Sequence, residues 1–123
     1  MRVPGDENGR FFWGVGDCLP FGVNGLSSPQ DDENICGKMI LVDPSDGSYN
    51  IVAKGIRNSQ MMFIEDDMVY FSEIGAVTAE EVNAVSLTRL LNGPMPNFGW
   101  GETGEVRLGK KFAREVSYAI EFV

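Results

Sequence analysis

Arg57 and Asn58 are the residues of this sequence whose chemistry points most directly to ligand binding. They stand in the stretch GIRNSQ, between two segments with the character of β-strands. A guanidinium forms forked hydrogen bonds with carboxylates, and an asparagine amide both donates and accepts. The pair would suit a quinone, a sugar acid or another carboxylate. The alternative is a structural turn, with Asn58 in a left-handed backbone conformation and Arg57 paired with a nearby carboxylate.

Clusters of acidic residues offer a second kind of chemistry, the binding of calcium by several oxygen ligands. The clusters are Asp31-Asp32-Glu33 and Glu65-Asp66-Asp67, and solvated turns are the simpler interpretation of both. DPSDGS lacks the spacing of an EF-hand loop, because Gly47 comes one position early and no glutamate closes it. Glu80-Glu81 is not predicted to be an acid–base pair, since adjacent side chains point apart. Its expected role is charge compensation at a helix N-terminus.

Composition and context exclude other catalytic arrangements. The chain has no histidine, which removes Ser-His and Cys-His nucleophiles and the usual zinc sites built on histidine. GWGETG, residues 99–104, has the Gly-X-Gly-X-X-Gly spacing, but it does not join a strand to a helix in a βαβ unit. We therefore predict no dinucleotide site and no catalytic residue.

Aromatic residues in two segments are expected to pack rather than to react. Phe98 and Trp100 lie in a glycine-rich loop and are predicted to be core or interface aromatics. Their loop is also a candidate interaction surface. Phe11, Phe12 and Trp13 are expected in the core.

Cys18 and Cys36 flank a long loop rich in glycine, proline and serine. A loop of this length in a compact domain is often functional. If oxidised, the pair would stabilise the fold by about 3 kcal/mol in the chain-entropy model. Because no feature of the sequence shows export, two reduced thiols are the expectation and a disulfide is the alternative.

Length and charge limit the classes of function. The 123 residues, 43% of them hydrophobic, suit one domain over residues 1–123. A net charge of -8 disfavours nucleic acids and anionic membranes as partners. The sequence contains no apolar run of the roughly 18 residues that a membrane span requires. The polar start MRVPGDENGR is unlike a signal peptide, so the cytoplasm is the expected compartment.

Turn residues divide the chain into short strands. Turns are predicted at Pro44–Gly47 and at Asp66-Asp67, which gives two consecutive hairpins joined by the Arg57-Asn58 loop. Such an antiparallel meander leaves exposed edges, which association could cover. The predicted strands are 11–17, 38–43, 48–55, 61–66, 68–75, 104–110 and 114–123.

Residues 77–93 differ from the rest of the chain. Thr78 and Glu81 fit a capping box, and Gly93 fits a helix stop. The pattern predicts a short helix at 86–92, whereas 79–85 suits helix and extended chain equally well. The predicted fold class is mainly β, with antiparallel hairpins and one short helix, and a compact α+β domain is the alternative.

Several short motifs follow one another in an order that resembles the glucose/sorbosone dehydrogenase-type β-propellers. They are GVGD, GKMILVDPSDG, GIRNSQ, the Glu73–Gly75 segment EIG, EEVN and NFGW, which together cover about residues 11–101. A repeat of one blade is about 40 to 50 residues long, so the resemblance implies about two blades of a six-bladed ring.

The resemblance also implies cofactors and a location. The family binds pyrroloquinoline quinone at the mouth of its central channel, and soluble members use calcium. Arg57 and Asn58 would contact the quinone, and the backbone around Glu73, Gly75 and Ala76 would help to hold calcium. Such a protein would be periplasmic or secreted.

Departures from the family pattern argue against catalysis. The histidine that serves the family as catalytic base is absent, the chain is much shorter, and Ser59 replaces a proline. The expected function is therefore a non-catalytic binding or assembly module, a homo-oligomer or a protein with a partner that covers its edge strands. Three chains could close one ring. The alternatives are a small α+β protein-interaction domain and a residual quinone-dependent aldose dehydrogenase that needs partner chains.

Overall fold

The fold is mainly β, as predicted, and the computed structural model describes residues 1–18, 28–74, 80–101 and 118–122. Within these ranges two antiparallel sheets are formed, one ordered β1-β2-β3 and the other β4-β5-β6-β7. Strands adjacent in space are thus adjacent along the chain. The elements are β1 (Phe11–Val15), β2 (Lys38–Asp43), β3 (Ser48–Ala53), β4 (Ser59–Glu65), β5 (Met68–Glu73), β6 (Glu80–Ser86), α1 (Leu87–Asn92) and β7 (Tyr118–Phe122).

Both predicted hairpins are confirmed. Strand β2 pairs with β3, and β4 pairs with β5, each in antiparallel register. At the first turn Gly47 has a φ of +75°, and its N–H donates to the Asp43 carbonyl over 2.8 Å. At the second, Asp66 takes a φ of +48°, a conformation that aspartate tolerates better than most residues. Local turn chemistry is enough to specify these two hairpins.

Strand β1 turns its aromatic residues to opposite sides. Phe12 is buried, whereas Trp13 is 59% exposed, because successive side chains of a strand point to opposite faces. The prediction that Trp13 belongs to the core was therefore wrong. Phe11 is half-buried and lies 6.3 Å from the Trp13 ring, measured between centroids.

The segment that was ambiguous between helix and strand is extended. Residues Glu80–Ser86 form β6, which pairs with β5 on one side and with β7 on the other. The capping box predicted from Thr78 and Glu81 was wrong, because Glu81 lies within the strand. Ser86 is the N-cap instead, and its hydroxyl accepts a hydrogen bond from the Arg89 N–H over 3.1 Å.

Helix α1 is short and ends where predicted, at Gly93. Leu90 is its buried side chain, and Leu87 and Leu91 pack against the same core. In the part of the chain that the structure describes, no helix has the length and hydrophobicity needed to cross a membrane. The predicted strand at 104–110 lies outside the described residues.

One hydrophobic core includes side chains from both sheets and from α1. The first sheet contributes Phe12 and Met39 among others, and the second contributes Phe71 and Val85. Phe98 joins this core from the loop after α1, with its ring 4.9 Å from that of Phe71 in an edge-to-face arrangement.

Lys38 is a fully buried lysine at the start of β2. Its ammonium donates hydrogen bonds to the carbonyls of Ser28, at 2.7 Å, and Cys36, at 2.9 Å. Burial lowers the pKa of Lys38 to about 8, although the charges of Asp32 and Asp31 act in the opposite direction.

We predict that Lys38 makes folding more favourable as the pH rises from about 8 to 10.5. In this window the unfolded chain still holds the lysine proton, whereas the folded chain has released it, so the free energy of unfolding increases. The contribution is about 3 kcal/mol over the whole window. Urea titrations at both ends of the window, on wild type and Lys38→Met, measure it. An equally steep rise in the two proteins would contradict the prediction.

Candidate functional site

The loop that carries Arg57 is held in place by the NFGW motif, Asn97–Trp100. The Phe98 N–H donates to the Lys54 carbonyl, and the Trp100 N–H donates to the Gly55 carbonyl, both over 2.9 Å. The Lys54 N–H in turn donates to the Pro96 carbonyl over 3.0 Å. Two motifs that are distant in sequence thus form one hydrogen-bonded unit.

A pair of side-chain amides connects this unit to the short 3-10 helix Ser28–Gln30. The Gln30 Nε2 donates to Asn97 Oδ1 over 3.0 Å and to the Trp100 carbonyl over 2.8 Å. The Asn97 Nδ2 donates back to Gln30 Oε1 over 2.8 Å. Sequence reasoning missed Gln30, because nothing near it in the chain marks a residue whose partner is so distant.

Arg57 is half-buried and its guanidinium lies over the Trp100 indole. Its Cζ is 5.8 Å from the ring centroid, within the usual range for a cation–π contact. Nη1 donates to the Ile74 carbonyl over 2.8 Å. The main chain of Asn58 accepts a hydrogen bond from the Ile74 N–H over 3.0 Å, and Asn58 does not have a positive φ. The left-handed turn proposed for Asn58 was therefore wrong.

Glu73 is a buried carboxylate that organises the residues around Arg57. Its Oε1 accepts the Arg57 backbone N–H over 2.5 Å, and its Oε2 accepts the Asn83 side-chain amide over 2.8 Å. Asn83 is itself fully buried, and its Oδ1 has no hydrogen-bond partner among the described residues. Because Glu73 lies opposite Glu81 and Phe71 lies opposite Asn83, the pair is a diagonal contact between β5 and β6.

The calcium role implied for the segment around Glu73 concerns its backbone and stays a prediction. The Glu73 side chain has another role, because both of its carboxylate oxygens accept hydrogen bonds from N–H groups. The other two predicted calcium residues, Gly75 and Ala76, lie outside the described residues. Within the described ranges, no three acidic or cysteine side chains come together as a metal site.

Phe98 and Trp100 are almost completely buried, as expected of core aromatics. The Trp100 Nε1 donates to Asp17 Oδ2 over 3.1 Å. Asp17 belongs to the GVGD motif, so the structure brings together GVGD, GIRN, Glu73, Asn83 and NFGW. Because the two rings are buried, they do not form an exposed interaction surface, and the Trp100 ring lies under the Arg57 guanidinium.

Cys18 and Cys36 form a disulfide. The expectation of two reduced thiols was therefore wrong. Residue types alone do not show how far apart the two cysteines lie, whereas the pairing of β1 with β2 brings their flanking segments together. Cys18 directly follows Asp17, so the disulfide is adjacent to the hydrogen bond that Trp100 donates.

Of the two acidic clusters, Glu65-Asp66-Asp67 is exposed as predicted, whereas Asp31-Asp32-Glu33 is only partly solvated. Asp31 is 4% exposed and accepts the Glu33 N–H, while Asp32 forms an ion pair with Lys54 at 2.9 Å. Glu81 is buried in β6, so the predicted compensation of a helix N-terminus was wrong.

A cleft of about 610 Å³ separates β1 from β4. Strand β4 lies at the edge of its sheet, whereas the N-terminal residues pair with the outer edge of β1, where Arg2 forms an antiparallel bridge with Phe11 and the Phe12 N–H donates to the Met1 carbonyl over 2.8 Å. The lining of the cleft is mostly apolar and includes Met1, Phe11–Gly14 and Ser59–Met62. Trp13 and Met61 are exposed beside it, Met61 by 74%, and Phe63 is exposed further along β4. Met61 faces outward, whereas Met62 packs against the core.

Comparisons with protein-family models, with curated proteins and with solved structures return no match for this chain. Function must therefore be inferred from the chemistry of the two features described above. The Arg57 site combines a guanidinium, a buried carboxylate and an indole. The cleft combines the edge of β4 with exposed apolar side chains.

Proposed function

We propose that this protein is a non-catalytic assembly module, similar to a fragment of a quinone-dependent sugar dehydrogenase propeller, and that further copies of the same chain cover its edge strand β4 and its exposed apolar side chains. The observation that carries the proposal is the apolar cleft beside the edge strand β4, with Trp13 and Met61 exposed next to it. Exposed edges and apolar patches of this kind favour association.

The strand order supports a ring in particular. Both sheets are up-and-down meanders that follow one another along the chain, which is the arrangement of successive propeller blades. If each chain supplies two blades, three chains close a six-bladed ring. Closure would cover Trp13, Met61 and Phe63, which a single chain exposes to water.

Light scattering on the purified protein tests the proposal. We expect a mass three times the 13.5 kDa of one chain. Met61→Glu combined with Phe63→Glu should yield the monomer, because each change buries a charge in the contact. Tyr49→Glu, at an exposed aromatic position on β3, is the matched control and should leave the mass unchanged. A monomeric wild-type protein would overturn the proposal.

A second candidate function is the binding of a polycarboxylate such as pyrroloquinoline quinone beside Arg57. The observation that favours it is the position of the Arg57 guanidinium over Trp100, since an arginine held by stacking is preorganised for carboxylates. Titration with the quinone, with and without calcium, tests it. Arg57→Ala should abolish saturable binding, whereas Arg10→Ala should not, since Arg10 is paired with Asp6 in the N-terminal segment. Unchanged binding in Arg57→Ala would contradict this function.

We further infer that the protein works in an oxidising compartment, which agrees with the periplasmic or secreted location implied by the resemblance rather than with the cytoplasm. The support is the Cys18–Cys36 disulfide, because such bonds persist mainly outside reducing compartments. Thiol labelling of protein from rapidly acid-quenched cells tests the inference. Two labelled cysteines in most molecules would contradict it.

A further inference from the structure

We propose that the Cys18–Cys36 disulfide is a redox-sensitive latch that holds Trp100 beneath Arg57. The disulfide lies between two chains of contacts, one through Asp17 and one through Gly37, and both lead to the Arg57 site. Its reduction would loosen Trp100 while the sheets remain folded. The latch operates in the protein without any ligand or partner, so it does not depend on either function proposed above.

The first chain of contacts leads from Cys18 to the indole. Asp17 directly precedes Cys18, and its Oδ2 accepts the hydrogen bond that Trp100 Nε1 donates over 3.1 Å. The Trp100 ring then supports the Arg57 guanidinium. Asp17 lies after the end of β1, next to Gly16, whose carbonyl accepts the Gly37 N–H, and the disulfide at Cys18 is its nearest covalent cross-link.

The second chain of contacts leads from Cys36 to the backbone of Arg57. Gly37 follows Cys36, and its N–H donates to the Gly16 carbonyl over 2.8 Å. The Gly37 carbonyl accepts a hydrogen bond from the Ile56 N–H over 3.0 Å, and Ile56 directly precedes Arg57. This side is anchored by strand β2 and by Lys38, so reduction should affect it less than the Asp17 side.

The disulfide is placed where a reductant can reach it. Cys18 is exposed, and it is one of two non-glycine residues in the described ranges with a positive φ, at 54°. A left-handed backbone is unfavourable for a residue that has a Cβ, so release of Cys18 relieves strain. Exposed and strained disulfides are the ones that act as labile or regulatory bonds.

The chemistry is thiol–disulfide exchange with a dithiol. One thiolate of the dithiol attacks a sulfur of the Cys18–Cys36 bond, which breaks and leaves a mixed disulfide. The second thiol of the reagent then displaces the protein sulfur. The products are two protein thiols and an oxidised, cyclic reagent, so two electrons and two protons have passed to the protein.

Quenching of tryptophan fluorescence by acrylamide tests the latch. The chain has two tryptophans, so Trp13→Phe leaves Trp100 as the sole emitter. We expect dithiothreitol to raise the quenching constant of this variant severalfold, with unchanged far-ultraviolet circular dichroism. Oxidised glutathione should restore the original value.

Two further variants in the Trp13→Phe background distinguish a local release of Trp100 from a loss of packing throughout the protein. Asp17→Ala should show high quenching while still oxidised, and reduction should add little. Glu65→Ala, which removes an exposed carboxylate elsewhere, should respond to reduction as the parent does. If quenching does not change on reduction, or if reduction removes the circular dichroism of the sheets, the proposal is overturned. In the latter case the disulfide would be a support for the whole fold.

Discussion

Replacing Gly55 with alanine is expected to lower the free energy of unfolding by about 4 kcal/mol or more, which places it among the most damaging single substitutions. Gly55 has a φ of +71°, where an L-residue is strained. An added Cβ would also lie 2.6 Å from the Gly99 backbone nitrogen and 2.2 Å from Asn97 Oδ1. Neither atom can move easily, because Asn97 is held by Gln30 and Gly99 donates to Asn97.

Gly47→Ala is the matched control, because it measures the cost of an L-residue at a positive φ without the close contacts of the added Cβ. Gly47 has a similar φ of +75°, but a Cβ there would meet no atom within 4 Å. We expect this change to cost only about 1 kcal/mol. Urea unfolding of both variants gives the difference, which measures how closely the Arg57 loop packs against NFGW. Equal losses in the two variants would show that this packing contributes little.

The hairpins were predictable because their determinants are local. Asp43 and Gly47 bring their own turn chemistry, and the alternation of side chains in β4 and β5 follows directly from strand periodicity. The same reasoning placed the end of α1 at Gly93. It could not decide between helix and strand for Glu80–Ser86. The pairing of this segment with β5 and β7 decided that, and such pairing is a tertiary effect.

The candidate site was predictable in part. Sequence motifs identified Arg57, Glu73 and the NFGW loop, and the structure brings all three together. What the motifs did not show is the role of each residue. The resemblance implied calcium binding by the backbone around Glu73, and it did not indicate that the Glu73 side chain accepts hydrogen bonds from a backbone amide and from Asn83. That role depends on the register between β5 and β6, which a motif does not contain.

Errors at Trp13 and at the cysteines share a cause. Hydrophobicity indicates that a residue can be buried, but it does not say which face of an edge strand meets the core. Compartment arguments likewise indicate whether a disulfide would persist, but not whether two thiols meet. In both cases the deciding fact is the pairing of β1 with β2, which turns Trp13 outward and brings the segments next to Cys18 and Cys36 together.

Phe98→Ala is expected to lower the free energy of unfolding by about 3 to 5 kcal/mol. Phe98 has no exposed surface, and its ring packs edge-on against Phe71. Its backbone N–H donates to Lys54, so this residue ties the NFGW loop to the core of both sheets. Truncation would leave a cavity, which the hydrogen-bonded loop cannot easily close.

Tyr49→Ala is the matched control, because Tyr49 is 52% exposed on β3 and lies outside the proposed contact between chains. Its loss should cost about 1 kcal/mol or less. Since domains of this size are stable by only about 5 to 15 kcal/mol, the Phe98 variant should show a much lower urea midpoint. A loss at Phe98 no greater than that at Tyr49 would contradict the prediction. The packing of Phe98 would then contribute little to holding the NFGW loop, and the hydrogen bonds of Gln30, Gly55 and Glu73 would carry the geometry of the Arg57 site.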